Sequence, residues 1–255
     1  MIKLTPLFSG SRGNCTLVQT PNTNILIDAG YGFRAIQARL AQSNLKVTDI
    51  SAIVVTHEHS DHISALPQFA KYSPAVVYVP NAALNYIAEH CLCTNIQGVD
   101  GAFSLADVQI DIFRCSHDAR ACLGYRFTTG DDSVASVTDT GVVSDELVQF
   151  LSPCRTVVLE SNHDVAMLNN GPYPIYLKRR ILSDMGHLSN NQCAEILQKL
   201  AFKRVKNVIL AHLSQQNNTA QLAMDTATRA LADKVTVGKD IALYVADQYQ
   251  NGITV

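Results

Sequence analysis

His57-Glu58-His59-Ser60-Asp61-His62 places three imidazoles and two carboxylates within six consecutive residues. It follows Ala52-Ile53-Val54-Val55, an apolar run that predicts a strand buried on both faces. Side chains at i, i+2 and i+4 of an extended backbone share a face. His57, His59 and Asp61 are therefore expected to point the same way as the strand frays into a loop. His62 stands where the chain turns toward a helix expected near residues 63–71, which aims its ring back at Asp61. Donors of this type at this density are what one or two divalent ions require. Burying them around nothing would be costly. Glu58 points to the opposite face and is expected to be a spectator or a support behind the ligands.

Outward from this segment the chain reads as alternating strands and helices. A β-meander is expected over residues 2–8, 15–20 and 25–27, broken by turns at 9–14 and 21–24. A helix follows over 32–43. Further strands are expected at 75–79, 108–114, 123–129 and 133–137, with a helix starting after Pro80. The second half predicts helices near 145–151, 173–182, 189–200 and 219–232. Ser189-Asn190-Asn191-Gln192 reads as a capping box. Strands are expected at 156–160, 207–211 and 241–245. Val54-Val55-Thr56-His57 is echoed by Ile209-Leu210-Ala211-His212: both are apolar strands that deliver a histidine at their C-terminal end. Two similar β/α halves facing each other make one αββα sandwich, a single α/β domain over residues 1–255.

Composition narrows the function. Charged residues are only 16% of the 255, and the net charge is −2. That excludes a disordered polyampholyte, and it excludes nucleic-acid binding by bulk charge, so any polyanion must meet a local patch. No apolar run is long enough to span a membrane, and the first residues lack the pattern of an export signal. A cytoplasmic location is expected, with the seven cysteines reduced and mostly packed as small hydrophobes. His90-Cys91-Leu92-Cys93 lacks a distant partner pair and is read as packing rather than a zinc site. Oligomeric state has no signature in the sequence.

The His57–His62 pattern resembles the H-x-H-x-D-H signature of the metallo-β-lactamase-fold hydrolases. Other segments resemble that family's remaining motifs, in order and over essentially the whole chain: Ile27-Asp28-Ala29-Gly30, Ser116-His117-Asp118-Ala119, Val137-Thr138-Asp139-Thr140-Gly141, and His212 after its strand. The resemblance implies the four-layer αββα sandwich of that family and two divalent metal ions. One ion would take His57, His59 and His117, the other Asp61, His62 and His212, with Asp139 bridging and Asp28 supporting from behind. A hydroxide shared by the two ions would be the nucleophile. Zinc is the default for imidazole-rich ligation, and manganese or iron also fit mixed N/O sites. Oxygen-reducing diiron relatives place a carboxylate where this chain has His59, which favours hydrolysis.

A narrower resemblance is to the YycJ/WalJ-like group, carried by Phe8-Ser9-Gly10-Ser11-Arg12-Gly13-Asn14-Cys15, Leu159-Glu160-Ser161-Asn162-His163-Asp164, Arg180-Ile181-Leu182-Ser183-Asp184, Gly186-His187-Leu188-Ser189-Asn190 and His212-Leu213-Ser214-Gln215-Gln216-Asn217-Asn218. It implies a phosphodiesterase or exonuclease acting on DNA. Asp61, His163 and His187 are then the candidate catalytic residues, the two histidines binding the scissile phosphate or protonating the leaving oxygen. Ser9, Ser11, Asn14, Asn162 and Asn190 are candidate substrate contacts, with backbone N–H groups of 9–14 facing an oxyanion. A plain hairpin turn is the competing reading of 9–14. Lys178-Arg179-Arg180, Lys199, Lys203, Arg204 and Lys206 are either a nucleic-acid contact or a solvated helix face. Glyoxalase- or lactonase-type ester or thioester hydrolysis uses similar ligands, and a noncatalytic metal-dependent nucleic-acid-binding module is the alternative of another class. The absent export signal weighs against a secreted β-lactamase. The spacing between motifs leaves no room for the inserted domain of the β-CASP nucleases.

Overall fold

Turn residues at 9–14 and 20–23 fold the start of the chain into an antiparallel meander. The computed structural model describes residues 1–246 and 254–255. β1 (Lys3–Phe8), β2 (Cys15–Gln19) and β3 (Asn24–Ile27) form the meander. After α1 (Phe33–Gln42), the strands β4 (Ala52–Val54), β5 (Val76–Pro80) and β6 (Ile96–Val99) add in parallel. α2 (Ser60–Ile63) and α3 (Leu66–Tyr72) join β4 to β5, and α4 (Leu84–Cys91) joins β5 to β6. The first sheet is thus six strands in chain order.

The second half repeats the plan. β7 (Phe103–Leu105), β8 (Val108–Cys115), β9 (Cys122–Thr129) and β10 (Asp132–Val137) run antiparallel. α5 (Asp145–Leu151) leads to β11 (Thr156–Glu160). α6 (Val165–Asn170), α7 (Ile175–Ile181) and α8 (Asn190–Leu200) precede β12 (Asn207–Ala211). α9 (Ala220–Leu231) precedes β13 (Ala242–Val245). β10 through β13 pair in parallel, completing a seven-stranded sheet.

Alternation along the strands builds the four layers. In β4, Ile53 packs with Ile36, Leu66 and Phe69 of the helices, while Ala52 and Val54 join a core shared by both sheets. In β12, Val208 and Leu210 pack with the α8 and α9 side, and Ile209 and Ala211 face the shared core. Tyr125 and Phe127 of β9 are fully buried in that core. The metallo-β-lactamase-type αββα sandwich expected from the sequence is the architecture found.

Three local readings change. The helix expected near 63–71 is two pieces, because Pro67 has no N–H to donate and sits in the first turn of α3. The helix expected from 173 begins at Ile175, after Pro174. β6, β7 and α6 are short segments of mixed composition that gave no period to read. The capping box at Ser189 is present, with Gln192 N donating to Ser189 Oγ and Ser189 N to Gln192 Oε1. Among the described residues, no helix is long and apolar enough to cross a membrane.

The parallel strands set the site's place. Their carboxyl ends open onto one edge of the seam between the sheets. At the other edge, the starts of β10 and β11 are tied to the N-terminus. Arg155 donates to Asp132 (2.9 Å) and to the Ile2 carbonyl (2.7 Å), and Ile2 N donates to Asp132 (2.7 Å).

Candidate metal centre

Five of the site residues stand at or shortly after a strand end. His57 follows β4, Asp139 follows β10, Glu160 ends β11, His212 follows β12, and Asp28 follows β3. Three of these, Asp28 (φ 60°), Asp139 (φ 59°) and His212 (φ 57°), adopt the left-handed backbone that non-glycine residues avoid. Such strain persists only where surroundings hold it. At His212 the hold is visible: its N–H donates to Ser9 Oγ (2.8 Å) and its carbonyl accepts from Asn162 Nδ2 (2.9 Å).

The donors converge. One donor atom from each of His57, His59 and His117 lies within 4.8 Å of the others, and the same holds for Asp61, His62 and His212. Asp139 reaches toward both sets, with Oδ2 3.5 Å from His62 Nε2 and Oδ1 4.0 Å from His117 Nε2. The rings are oriented from behind. His62 Nδ1 donates to Asp28 (2.7 Å), His117 Nδ1 to the Gly186 carbonyl (3.1 Å) and His212 Nδ1 to Glu160 (3.0 Å). Fixing one nitrogen on a carboxylate or carbonyl aims the other, which is how metal-ligating imidazoles are held. Asp139 Oδ2 and His212 Nε2 are buried without a hydrogen-bond partner among the described residues. Unpaired buried polar atoms are costly, and both face the cluster that a pair of cations would fill. The residues fit the group.

Electrostatics agree. Burial works to lower the pKa of His212, but the carboxylates of Asp139, Asp61 and Glu160 around it push it up to about 10. His62 is likewise raised against burial by Asp28, Asp139 and Asp61. His57 is held well below its ordinary value by burial and by its imidazole neighbours. The carboxylates around His62 and His212 thus favour positive charge at that side of the site.

The sequence-derived substrate contacts divide. Ser11 and Asn162 line a cleft of about 210 Å³ over the cluster, as do His187, Arg180 and Tyr173. Ser9 and Asn14 are buried and spent on the site itself: Asn14 Nδ2 lies 3.1 Å from His62 Nε2, and its Oδ1 accepts from Gly10 N. Both side chains are held inside the site by these bonds and by His212 N on Ser9 Oγ. The backbone of 9–14 is also largely committed, since Gly13 N bonds the Gly10 carbonyl and Asn14 N the Asp61 carbonyl. Asn190 lies in a buried amide network with Ser161 and Asn218, away from the cleft lining. His163 is 1% exposed, neither ring nitrogen has a hydrogen-bond partner among the described residues, and burial lowers its pKa to about 4. It is not among the residues that line the cleft. His187 remains at the cleft with Nδ1 donating to Glu160 (2.7 Å). Glu58 accepts from Arg120 N (2.8 Å).

Glu160 is the residue the sequence reading left without a role. Fully buried, it accepts from His187 and His212 on Oε1 and from Thr140 N (3.0 Å) and Leu188 N (3.3 Å) on Oε2. The signal was a carboxylate closing the apolar strand Thr156–Glu160, the same strand-end position that marks His57 and His212.

The model of the beta-lactamase superfamily domain matches residues 23–213. The chain is 38% identical over 235 residues to the exodeoxyribonuclease YycJ of Bacillus anthracis, covering 89% of this chain and 88% of that one. It is 36% identical over 250 residues to the exodeoxyribonuclease WalJ of Streptococcus pneumoniae serotype 2, covering 95% and 93%. Among solved structures it is similar to the metallo-beta-lactamase fold protein YhfI of Bacillus subtilis, with a TM-score of 0.75 and 15% identity over 100% of this chain and 99% of that one.

Proposed function

This chain belongs to the beta-lactamase superfamily, and from that premise we propose that it is a dinuclear-metal-dependent exodeoxyribonuclease. The observation that carries the reading is the convergence of seven imidazole and carboxylate donors into two sets joined by Asp139. The near full-length identity to two exodeoxyribonucleases supplies the substrate class. His57, His59 and His117 would hold one ion, Asp61, His62 and His212 the other, and Asp139 both. Zinc suits the imidazole majority, and manganese or iron suits the oxygen donors. The expected setting is the cytoplasm.

When bound, the ions supply Lewis acidity, making water a nucleophile near neutral pH and neutralising charge that grows on the phosphoryl oxygens. The chain's own groups do the rest. Asp28 and Glu160 fix the rings of His62 and His212. His187, with Nδ1 engaged by Glu160, presents Nε2 to carry a proton to the leaving oxygen. Arg180, at the rim and paired with Asp118, meets phosphate.

The test is cleavage of 5′-labelled DNA by metal-stripped protein with each metal added back. His59→Ala and Asp139→Ala are expected to lower turnover by about 10²–10³-fold or more while the circular dichroism spectrum persists. Ester or thioester cleavage without phosphodiester cleavage would overturn the assignment.

A further inference from the structure

One wall of the cleft is built by residues of which the chemistry above uses only Arg180. Tyr173, Leu177, Arg180 and Ile181 line it, three of them on one helical face of α7. The same stretch turns large apolar side chains outward beside the mouth: Ile175 is 69% exposed, Tyr176 74%, Leu182 46% and Met185 47%. Apolar exposure gathered in one place marks an interaction surface. Interleaved with it is Lys178-Arg179-Arg180, the densest basic run of a chain whose net charge is −2. Arg180 is tied to Asp118, whose Oδ1 is 3.4 Å from His117 Nε2, so this basic run adjoins the metal cage.

Exposed rings and guanidinium groups together suit a single-stranded nucleic acid, whose unpaired bases stack while its phosphates pair with cations. A second copy of the chain fits less well, because a two-fold contact would set two basic runs against each other. We propose that residues 173–185 are the landing surface for a single-stranded DNA end, with Tyr176 stacking an unpaired base and Arg179 and Arg180 taking phosphates. This rests on the nuclease reading and extends it to strand preference: an unpaired end docks on α7 and feeds its terminal phosphodiester into the cleft.

The probe is a 5′-phosphorylated, 3′-fluorescein-labelled single-stranded oligonucleotide, bound to metal-loaded protein and followed by anisotropy alongside cleavage. Tyr176→Ala is expected to weaken binding about tenfold and to raise KM more than it lowers kcat, and Tyr176→Phe to restore both. An abasic scan of the strand is expected to show one position where removing the base costs the wild type about tenfold and Tyr176→Ala nothing further. Wild-type affinity in Tyr176→Ala, or no coupled position anywhere in the scan, would overturn the proposal. So would loss of a dimer in sedimentation with strand affinity unchanged, which would give the face to a second copy. A wild type that binds through Tyr176 but never cuts would defeat the hydrolase reading and leave this one standing.

Discussion

Glu160 shows how one buried charge organises several neighbours. Its Oε1 accepts hydrogen bonds from two imidazoles, so it sets the ring angle of a metal ligand and of the histidine at the cleft together. Glu160→Gln keeps the shape but replaces a charged acceptor with a neutral amide that also carries donors. Metal affinity is expected to fall by about 10–100-fold, read by competition with a chromogenic chelator. His187→Gln is expected to lower kcat by about 10²-fold with metal content unchanged, and elemental analysis separates the two effects. The donors themselves were legible because chemistry so dense at adjacent positions has few other uses. Glu160 was not, because a glutamate at a strand end acquires its role only when two imidazoles arrive from segments 27 and 52 residues away. The surroundings of Asn14 and Asn190 were not legible for a similar reason: amides bond whatever is near, and residue type does not reveal which partner that is.

Among the elements, the strands buried on both faces were easiest to read, since nothing else makes Ala52–Val54 or Asn207–Ala211 so uniformly apolar. The connections were harder, because their form depends on what they pack against. Gly30 is an instance. A Cβ there would lie 1.7 Å from the Asp61 carbonyl oxygen, so only glycine lets the loop after β3 touch the ligand segment. Gly30→Ala is expected to cost about 2–4 kcal/mol in denaturant unfolding and to lower metal content as well. At the opposite edge, burial would raise the Asp132 carboxyl, but hydrogen bonds from Arg155 and Ile2 hold it below its ordinary value. A depressed carboxyl stabilises above its unfolded pKa and loses that contribution as pH falls through the folded one. Asp132→Asn is therefore expected to cost on the order of 1–2 kcal/mol at neutral pH, with the gap to wild type closing below about pH 4.

Over the whole molecule, the two halves share a core drawn from both sheets, so thermal unfolding of residues 1–255 is expected as one transition. Metal binding should shift that transition upward by several degrees, about 2.7 kcal/mol at a free metal concentration a hundredfold above Kd. It should also release protons. Neighbouring carboxylates raise His62 and push His212 up to about 10, which favours their protonated forms, whereas a ligating imidazole must be neutral. Affinity therefore rises with pH, and calorimetry in buffers of different ionisation heat counts the protons.

The tie among Ile2, Asp132 and Arg155 closes the seam at one edge, and the donor cluster sits at the other. The molecule is bound like a book, with a permanent spine and a clasp that comes and goes. Chelation should let the pages part at the fore-edge alone: amide exchange would quicken around residues 57–62, 139–141 and 212–214, and stay slow at the foot of β10 and β11.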